Sequence, residues 1–386
     1  MSTERSELLI VANSGRALAE SAVRAGYRVR LIDAFADEDS RACAECIQVP
    51  MKGHGLDADA VRCELERILS QASGRPDLIY GAGLEPSADL LEWLESRVTV
   101  LGNDSSVLRL LADPIAWFAR LDRLGIPYPE VRFDPPEQDT GWLLKEPASS
   151  GGLGVRCWRS GLSRPQGAHY FQRLLDGAPM SFLFIADGKR AIPIGYSRLS
   201  NAADAMDGPF FYAGARSLDA AEAARCRVIE TYARALVADL GLRGINGMDF
   251  ILHGGRVQLL ELNPRPTATL ALHPCPLAEG WVACQVQACQ GLLPDPALHA
   301  ASRATAHRIL YAERDFSVPA GLHWPDWVRD RPWPGTWIPR GAPLCSLYAE
   351  ATDMDALERL LAERARLVVS FLTDRSTLSM STEVIS

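Results

Sequence analysis

The amino-acid sequence predicts an α/β N-terminal domain followed by α+β regions, with a small β-containing region at the C-terminal end. Three observations carry this. Short apolar runs alternate with helix-periodic segments as far as Leu101. Lys145 ends an apolar run and opens the Gly-rich segment Lys145-Glu-Pro-Ala-Ser-Ser-Gly-Gly-Leu-Gly154. A hydrophobic hairpin beginning near Asp249 closes on Glu261-Leu-Asn-Pro-Arg265.

At 386 residues the chain is long enough for two or three domains with cores of their own. Its 47% hydrophobic and 23% charged content is that of an ordinary soluble globular protein. The net charge of -8 argues against a dedicated nucleic-acid binder and leaves room for a local basic pocket. No apolar run approaches the roughly 20 residues that span a membrane, and the polar start, Met1 to Glu7, does not read as a signal peptide. A cytoplasmic location is expected. Of nine scattered cysteines, one pair, Cys43-Ala-Glu-Cys46, has C-x-x-C spacing. Without a second pair or a histidine cluster it reads as reduced thiols rather than zinc ligands.

The elements follow in order. Leu8-Leu-Ile-Val-Ala12 reads as a buried strand, residues 16–25 as a helix stopped by Gly26, and Val29-Arg-Leu-Ile32 as the next strand. This βαβ opening implies a parallel sheet. It lacks G-x-G-x-x-G, so a dinucleotide site is not expected. Asp33, at a strand end, has two open readings: a contact to a ribose, or a capping and loop role. Residues 57–70 read as a helix, 77–80 as a strand and 86–95 as a helix, and 98–101 closes the first domain. Gly81-Ala-Gly-Leu-Glu85 falls at the C-terminal end of a strand, where open α/β sheets bind ligands. Residues 105–111 and 115–124 are helical connections.

Beyond Val131, strands are expected at 142–145, 156–158, 181–186 and 191–196, a further segment at 170–175, one long amphipathic helix at 220–240 and the hairpin at 244–262. The third region carries strand-like 308–312 and 343–348, a last helix at 354–371 and a polar, mobile tail from Thr373.

The chemistry lies in the two motifs. A lysine at a strand end acts as a point charge for phosphate. Ser149, Ser150, Gly151, Gly152 and Gly154 bring backbone N–H groups onto anionic oxygens, and glycine permits that approach. The competing reading is a flexible hairpin loop with a surface lysine. Glu261 and Asn263, two apart on a strand, leave on one face. Magnesium takes such hard oxygen ligands. Asp249 is a direct cross-strand partner of Glu261 only with an odd-numbered loop, such as a three-residue one, or a bulge. Phe250, Leu252, Leu260 and Leu262 are expected on the opposite, buried face; a polar hairpin with capped ends is the plainer alternative. Arg265, stiffened by Pro264 and Pro266, suits either an anion clamp or a salt bridge to a neighbouring acid.

These residues resemble the ATP-grasp superfamily over about residues 101–272, and the N-terminal βαβ region resembles the domain that precedes it. Ser14-Gly-Arg-Ala-Leu-Ala-Glu-Ser-Ala-Val-Arg-Ala-Gly-Tyr27, Gly81-Ala-Gly-Leu-Glu85, Leu101-Gly-Asn103 and Asp113-Pro114 are similar to the predicted ATP-dependent carboligases related to biotin carboxylase. Members of that family often accompany genes of methanopterin- and methanofuran-dependent one-carbon metabolism.

The resemblance implies an ATP-grasp fold with an N-terminal Rossmann-like domain at 1–110, a small lobe at 111–195, a large lobe at 196–304 and a C-terminal region at 305–386. It implies that Lys145 and Ser149 to Gly154 hold ATP phosphates, and that Gln172, Arg173, Leu174 and Leu175 border adenine, with backbone hydrogen bonds from Arg173 to Leu175. It further implies that Asp249, Glu261 and Asn263 hold Mg2+, with Mn2+ as a substitute. Asp113-Pro114 stands where many relatives have a second lysine, and Ala178-Pro179-Met180 where they have a ribose carboxylate, a role that falls to Asp176. Lys145 and Arg265 are the implied catalytic charges. Glu85, Arg198, Tyr212 and Arg216 are the acceptor-site candidates, whereas His273 and Cys275 read as structural.

The implied activity is ADP-forming ligation of a small-molecule carboxylate to an amine through an acyl phosphate, in one-carbon cofactor biosynthesis, by a protein that often dimerises. A carboxyphosphate-using carboxylase, an ATP-binding scaffold without turnover and phosphoryl transfer without ligation remain open.

Overall fold

The computed structural model describes residues 6–138, 140–202, 210–295 and 303–380, with the backbone alone for 373–380. The N-terminal sheet is parallel throughout, with strand order Glu45–Gln48, Arg28–Asp33, Glu7–Val11, Asp77–Tyr80, Thr99–Val100. Helices Arg16–Arg24 and Ala58–Leu69 match the expected segments. Asp57 caps the second by accepting from the Asp59 and Ala60 N–H groups. Asp33 serves its loop: its carboxylate accepts from the Phe35 and Ala36 N–H groups and is buried. Cys43 ends helix Glu38–Cys43 and Cys46 lies in the adjoining edge strand. Burial pushes both thiols up, to about 11 and about 12, so they stay protonated.

A small four-stranded sheet follows, ordered Val155–Cys157, Trp142–Lys145, Tyr170–Arg173, Val131–Arg132. Leu144, Phe171 and Trp142 pack with Trp158 on one face. The strands Pro179–Asp187 and Ala191–Asn201, expected within the small lobe, instead join an eight-stranded antiparallel sheet. Its order is Arg256–Asn263, Arg243–His253, Pro179–Asp187, Ala191–Asn201, Tyr212–Ser217, Ala304–Tyr311, Pro343–Ala351, Val328–Arg329. The C-terminal region thus completes the sheet of the large lobe through Ala304–Tyr311, and has a core of its own around Leu347 and Leu357.

The long helix expected at 220–240 is two helices, Ala220–Cys226 and Ile229–Leu240. Between them the turn tightens, with Glu230 N–H donating to Arg227 O and Thr231 N–H to Val228 O, bonds to the residue three positions back. Both helices still bury one stripe, Cys226, Ile229, Ala233, Leu236 and Val237, on the sheet. The last helix runs Met354–Met380 rather than stopping at Phe371, because no Gly or Pro interrupts it. The tail expected from Thr373 is therefore helical as far as Met380, and residues 381–386 lie outside the described residues. No helix among the described residues is long and apolar enough to cross a membrane.

A buried polar knot docks the N-terminal domain on the large lobe. Tyr80 Oη donates to the carbonyls of Asn103 and Pro264 at 3.0 and 3.2 Å. Asn103 Nδ2 donates to Asn246 Oδ1 and Pro264 O, both at 2.8 Å, while its Oδ1 accepts from Arg243 N–H at 2.9 Å. Gln285 bridges Leu101 O and Ile245 N–H nearby. Replacing Asn103 by Ala strands Asn246 Oδ1 and the Arg243 N–H and leaves Pro264 O to Tyr80 alone, and we expect a loss of about 2 kcal/mol. Urea denaturation of the Asn103→Ala variant measures it; a loss within about 0.5 kcal/mol would show that the knot does not secure the docking.

Candidate functional site

The hairpin settles the geometry of its carboxylates. The turn is the two-residue Gly254-Gly255, with His253 opposite Arg256. The register then shifts by one residue between Asp249 and Phe250, so Asp249 faces Glu261 directly. The expected pairing is made by a bulge, not by a three-residue loop. The bulge also moves Leu260 out of the buried row where the sequence places it. Leu259, Leu262 and Phe250 enter the core, and Leu260 lines the cleft.

Asp249 lies in a row that crosses the sheet on one face: Glu261, Asp249, Ser181, Ser197, Ser217, each the direct partner of the next. The neighbouring row, Phe250, Met180, Arg198, Arg216, points to the other face, where Phe250 and Met180 enter the core. This corrects two acceptor candidates. Arg198 and Arg216 lie on the face away from the carboxylates, and both bond Glu222, at 3.1 and 2.9 Å.

Asn263 Nδ2 donates to Asp249 Oδ2 and Glu261 Oε1, each at 3.3 Å. Burial, then the adjacent Glu261, push the Asp249 carboxyl well above the usual carboxylate range, although Ser181 and Arg265 pull it down. Two facing carboxylates are hard-oxygen donors, and the Asn263 amide, whose nitrogen faces them while its oxygen accepts from Arg265, would add a third on rotation. These residues fit a magnesium ion. Arg265 is buried and paired with Glu85, whose other oxygen accepts from Gly83 N–H at 2.6 Å. Arg265 Nη2 also donates to Asn263 Oδ1 at 3.2 Å. Of the two readings of Arg265, the salt bridge to an acid is the contact present, and Glu85 is that acid.

Lys145 faces this set from the small sheet. It pairs with Tyr170 across the strands, donates to Gln172 Oε1 at 3.3 Å and is 8% exposed, so it is no surface lysine. Burial alone would lower its ammonium, but Tyr170, Glu261 and Asp249 outweigh this and the net shift is upward. The Gly-rich loop folds back beside it. Ser149 Oγ donates to Glu146 O, Glu146 N–H to Gly154 O, and Tyr212 N–H to Gly151 O at 3.1 Å. Gly152 has φ +80, and a Cβ there would meet Phe210 O at 2.0 Å. Between loop and hairpin lies a cavity of about 60 Å³ lined by Glu85, Trp117, Lys145, Ser149, Glu261 and Asn263.

The linker candidates fare differently. Gln172 is buried beside Lys145, while Arg173 points to the opposite face of the small sheet and is exposed. Arg173 N–H donates to Glu130 O and Leu174 N–H to Gly141 O. Two of the amides expected to read a base are therefore spent inside the protein. Asp176 is exposed and uses its carbonyl toward His253. Asp113 caps helix Pro114–Leu124 by accepting from the Ile115 and Ala116 N–H groups, so a helix start replaces the second lysine. His273 bonds Ser197 Oγ at 3.1 Å, and Cys275 lies 3.6 Å from Cys284. Sequence reasoning missed Tyr170 and Ser181. Both are partners across strands from distant segments and carry no local signal.

Residues 111–269 match the family described as the ATP-grasp domain. No curated protein sequence matches the chain. Among solved structures, pyruvate carboxylase from Rhizobium etli superposes with a TM-score of 0.71 at 15% identity, over 93% of this chain and 37% of that one. This chain thus spans little more than a third of that protein. Biotin carboxylase from Campylobacter jejuni gives 0.67 at 16% identity, over 92% and 89%. N5-carboxyaminoimidazole ribonucleotide synthetase from Thermus thermophilus gives 0.67 at 17% identity, over 93% and 98%. The fold is the ATP-grasp fold over nearly the whole chain.

An acid whose carboxyl is raised by folding destabilises the fold at every pH above its unfolded value. Asp249→Asn should therefore raise the melting temperature of the ligand-free protein by about 1 °C for each kcal/mol regained. It should also remove the additional stabilisation by Mg2+ with ADP. Thermal melts with and without Mg·ADP check both; a lower melting temperature for the variant, or unchanged Mg2+-dependent stabilisation, would refute the reading.

Proposed function

We propose that this protein is an ATP-dependent, ADP-forming ligase that activates a small-molecule carboxylate as an acyl phosphate and joins it to an amine. The observation that carries the reading is the buried Lys145 facing the Asp249–Glu261 pair beneath a Gly-rich loop, within an ATP-grasp domain.

ATP phosphates lie against Lys145 and the amides of Ser149 to Gly154. Because the cavity is far smaller than the several hundred Å³ of a nucleotide site, the loop and small sheet move back to admit ATP. Asp249, Glu261 and the Asn263 amide oxygen, turned inward, hold Mg2+, which supplies charge neutralisation on the phosphates. Gln172 lines the nucleotide side.

The substrate carboxylate attacks the γ-phosphorus in line and ADP leaves. The amine then attacks the acyl carbon, phosphate leaves and the nitrogen gives up a proton. No nucleophilic side chain takes part; the protein positions reactants and neutralises charge. Arg265 adds positive charge behind Asn263. Its direct contact with a substrate requires Glu85 to release it, so these two act as one unit. Of the acceptor candidates, Tyr212 stands on the carboxylate face. We extend this reading to a cytoplasmic setting and to methanopterin- or methanofuran-type cofactor biosynthesis, whose genes members of the resembled family often accompany; that neighbourhood names no substrate.

A second reading, carboxylation through carboxyphosphate, draws on the likeness to biotin carboxylase and N5-carboxyaminoimidazole ribonucleotide synthetase.

Hydroxylamine traps acyl phosphates as hydroxamates without knowledge of the natural amine. With Mg·ATP and pooled carboxylates we expect ADP and hydroxamate to form together, and Glu261→Ala to lower both by at least about 100-fold. ADP release driven by bicarbonate alone would replace the ligase reading with the carboxylase one. Nucleotide binding without any ADP release, in wild type, would leave a scaffold.

A further inference from the structure

Beyond Ser217, the carboxylate face of the large sheet continues onto residues with no task so far. His307 is the cross-strand partner of Ala215, and Tyr348 that of His307. Strand alternation puts Ala215 on the face of Ser217, and hence of Asp249. Tyr212 reaches the same face by a bulge. The register slips where Asn201 meets Tyr212 and Ser200 meets Gly214, and Gly214 has φ +138. A Cβ at Gly214 would lie 2.3 Å from His307 O, so only glycine allows the strands to meet there.

Tyr212 is held from three sides. Its N–H donates to Gly151 O in the phosphate loop, its carbonyl accepts from Tyr311 Oη at 2.6 Å, and its hydroxyl lies 2.7 Å from His307 Nε2. Burial, then Tyr348 and Asp249, raise its phenol well above the ordinary range, so it remains protonated.

His307 is 4% exposed and sits between Tyr212 and Tyr348, with ring centroids 5.6 and 5.4 Å away and the rings tilted by 54° and 36°. Burial lowers its imidazole to about 4, Asp330 opposing and Arg16 assisting, so it is neutral. The 2.7 Å contact suits either tautomer; with Nε2 taken as the acceptor of the Tyr212 O–H, the neutral imidazole carries its proton on Nδ1. That nitrogen is buried and has no hydrogen-bond partner among the described residues. An unsatisfied buried N–H is costly, and phenylalanine would fill the slot without it. Packing therefore does not account for the histidine. Its distinctive contribution is a fixed acceptor for the Tyr212 O–H, which leaves the phenol oxygen's lone pairs available to a ligand.

We propose that His307 is a positioning residue for the second half-reaction: it orients Tyr212 so that the phenol oxygen accepts a hydrogen bond from an N–H of the attacking amine. The substrate class is a nitrogen nucleophile that keeps an N–H, a primary or secondary amine. Because the N–H of Tyr212 also ties down the phosphate loop, loop closure and acceptor orientation use one residue. The inference rests on the ligase reading above.

The probe is hydroxylamine, with Mg·ATP and a carboxylate that supports ADP release by the wild type. His307→Phe keeps the ring between the two tyrosines and removes the acceptor; His307→Gln restores an acceptor oxygen. We expect KM for hydroxylamine to rise at least about tenfold in His307→Phe, with KM for ATP unmoved. ADP formed per hydroxamate should rise several-fold as water captures the misaligned acyl phosphate, and His307→Gln should recover most of the loss. If ADP and hydroxamate fall in parallel at an unchanged ratio, or if the two variants behave alike, His307 is structural and the proposal fails while ligation stands. If the wild type releases no ADP with any carboxylate, the ligase reading fails and takes this inference with it.

Discussion

The cleft is organised around an electrostatic conflict, two carboxylates facing each other across a hairpin. The one-residue bulge beside Asp249 creates it, since a regular ladder from the two-residue turn would set Asp249 and Glu261 out of step. The surroundings supply compensation piece by piece. Asn263 lays its amide nitrogen between the acids, Arg265 stands behind it, and Lys145 approaches from the other sheet. Burial and the facing Glu261 still outweigh Arg265 and Ser181, and the Asp249 carboxyl stays raised. A buried carboxylate pair held in this way suits a cation that comes with its ligand.

The N-terminal domain matters to this arrangement although it holds none of the metal donors. Tyr80 and Asn103 both grip the Pro264 carbonyl, one residue before Arg265, and Glu85 on the same domain pairs with Arg265 itself. The Glu261-to-Arg265 segment is thus gripped beyond its strand by buried hydrogen bonds and an ion pair from another domain. Such fixing of a second layer keeps ligating groups in place.

Much of this was legible in the sequence. The βαβ opening, the strand that ends at Lys145 and the even spacing of Glu261 and Asn263 are local signals, and local signals survive folding. So was the need for a bulge or an odd loop if Asp249 were to meet Glu261, although not which of the two. What could not be read is pairing between distant segments. Nothing near Arg198 or Arg216 reveals that they share a face with Phe250 rather than with Asp249; that follows from register alone. The same holds for Ser181 and His307, whose neighbours across the strands lie far away in the chain. Tyr212 was found from its position after the small lobe, but the bulge at Gly214 that turns it toward His307 has no sequence signature beyond the glycine itself.

The large sheet also dictates an order of assembly. All five strands of the N-terminal sheet come from the first hundred residues, so that domain has its partners as soon as it leaves the ribosome. The sheet that carries Asp249 must wait, because Gly214 pairs with Arg308 and Arg308 in turn with Leu347. Tyr212–Ser217 is an open edge until Ala304–Tyr311 emerges, and Ala304–Tyr311 then becomes the open edge until Pro343–Ala351 covers it. A nascent chain stalled or cut before Pro343 therefore holds both magnesium carboxylates and the phosphate loop and yet offers a sticky, unfinished border.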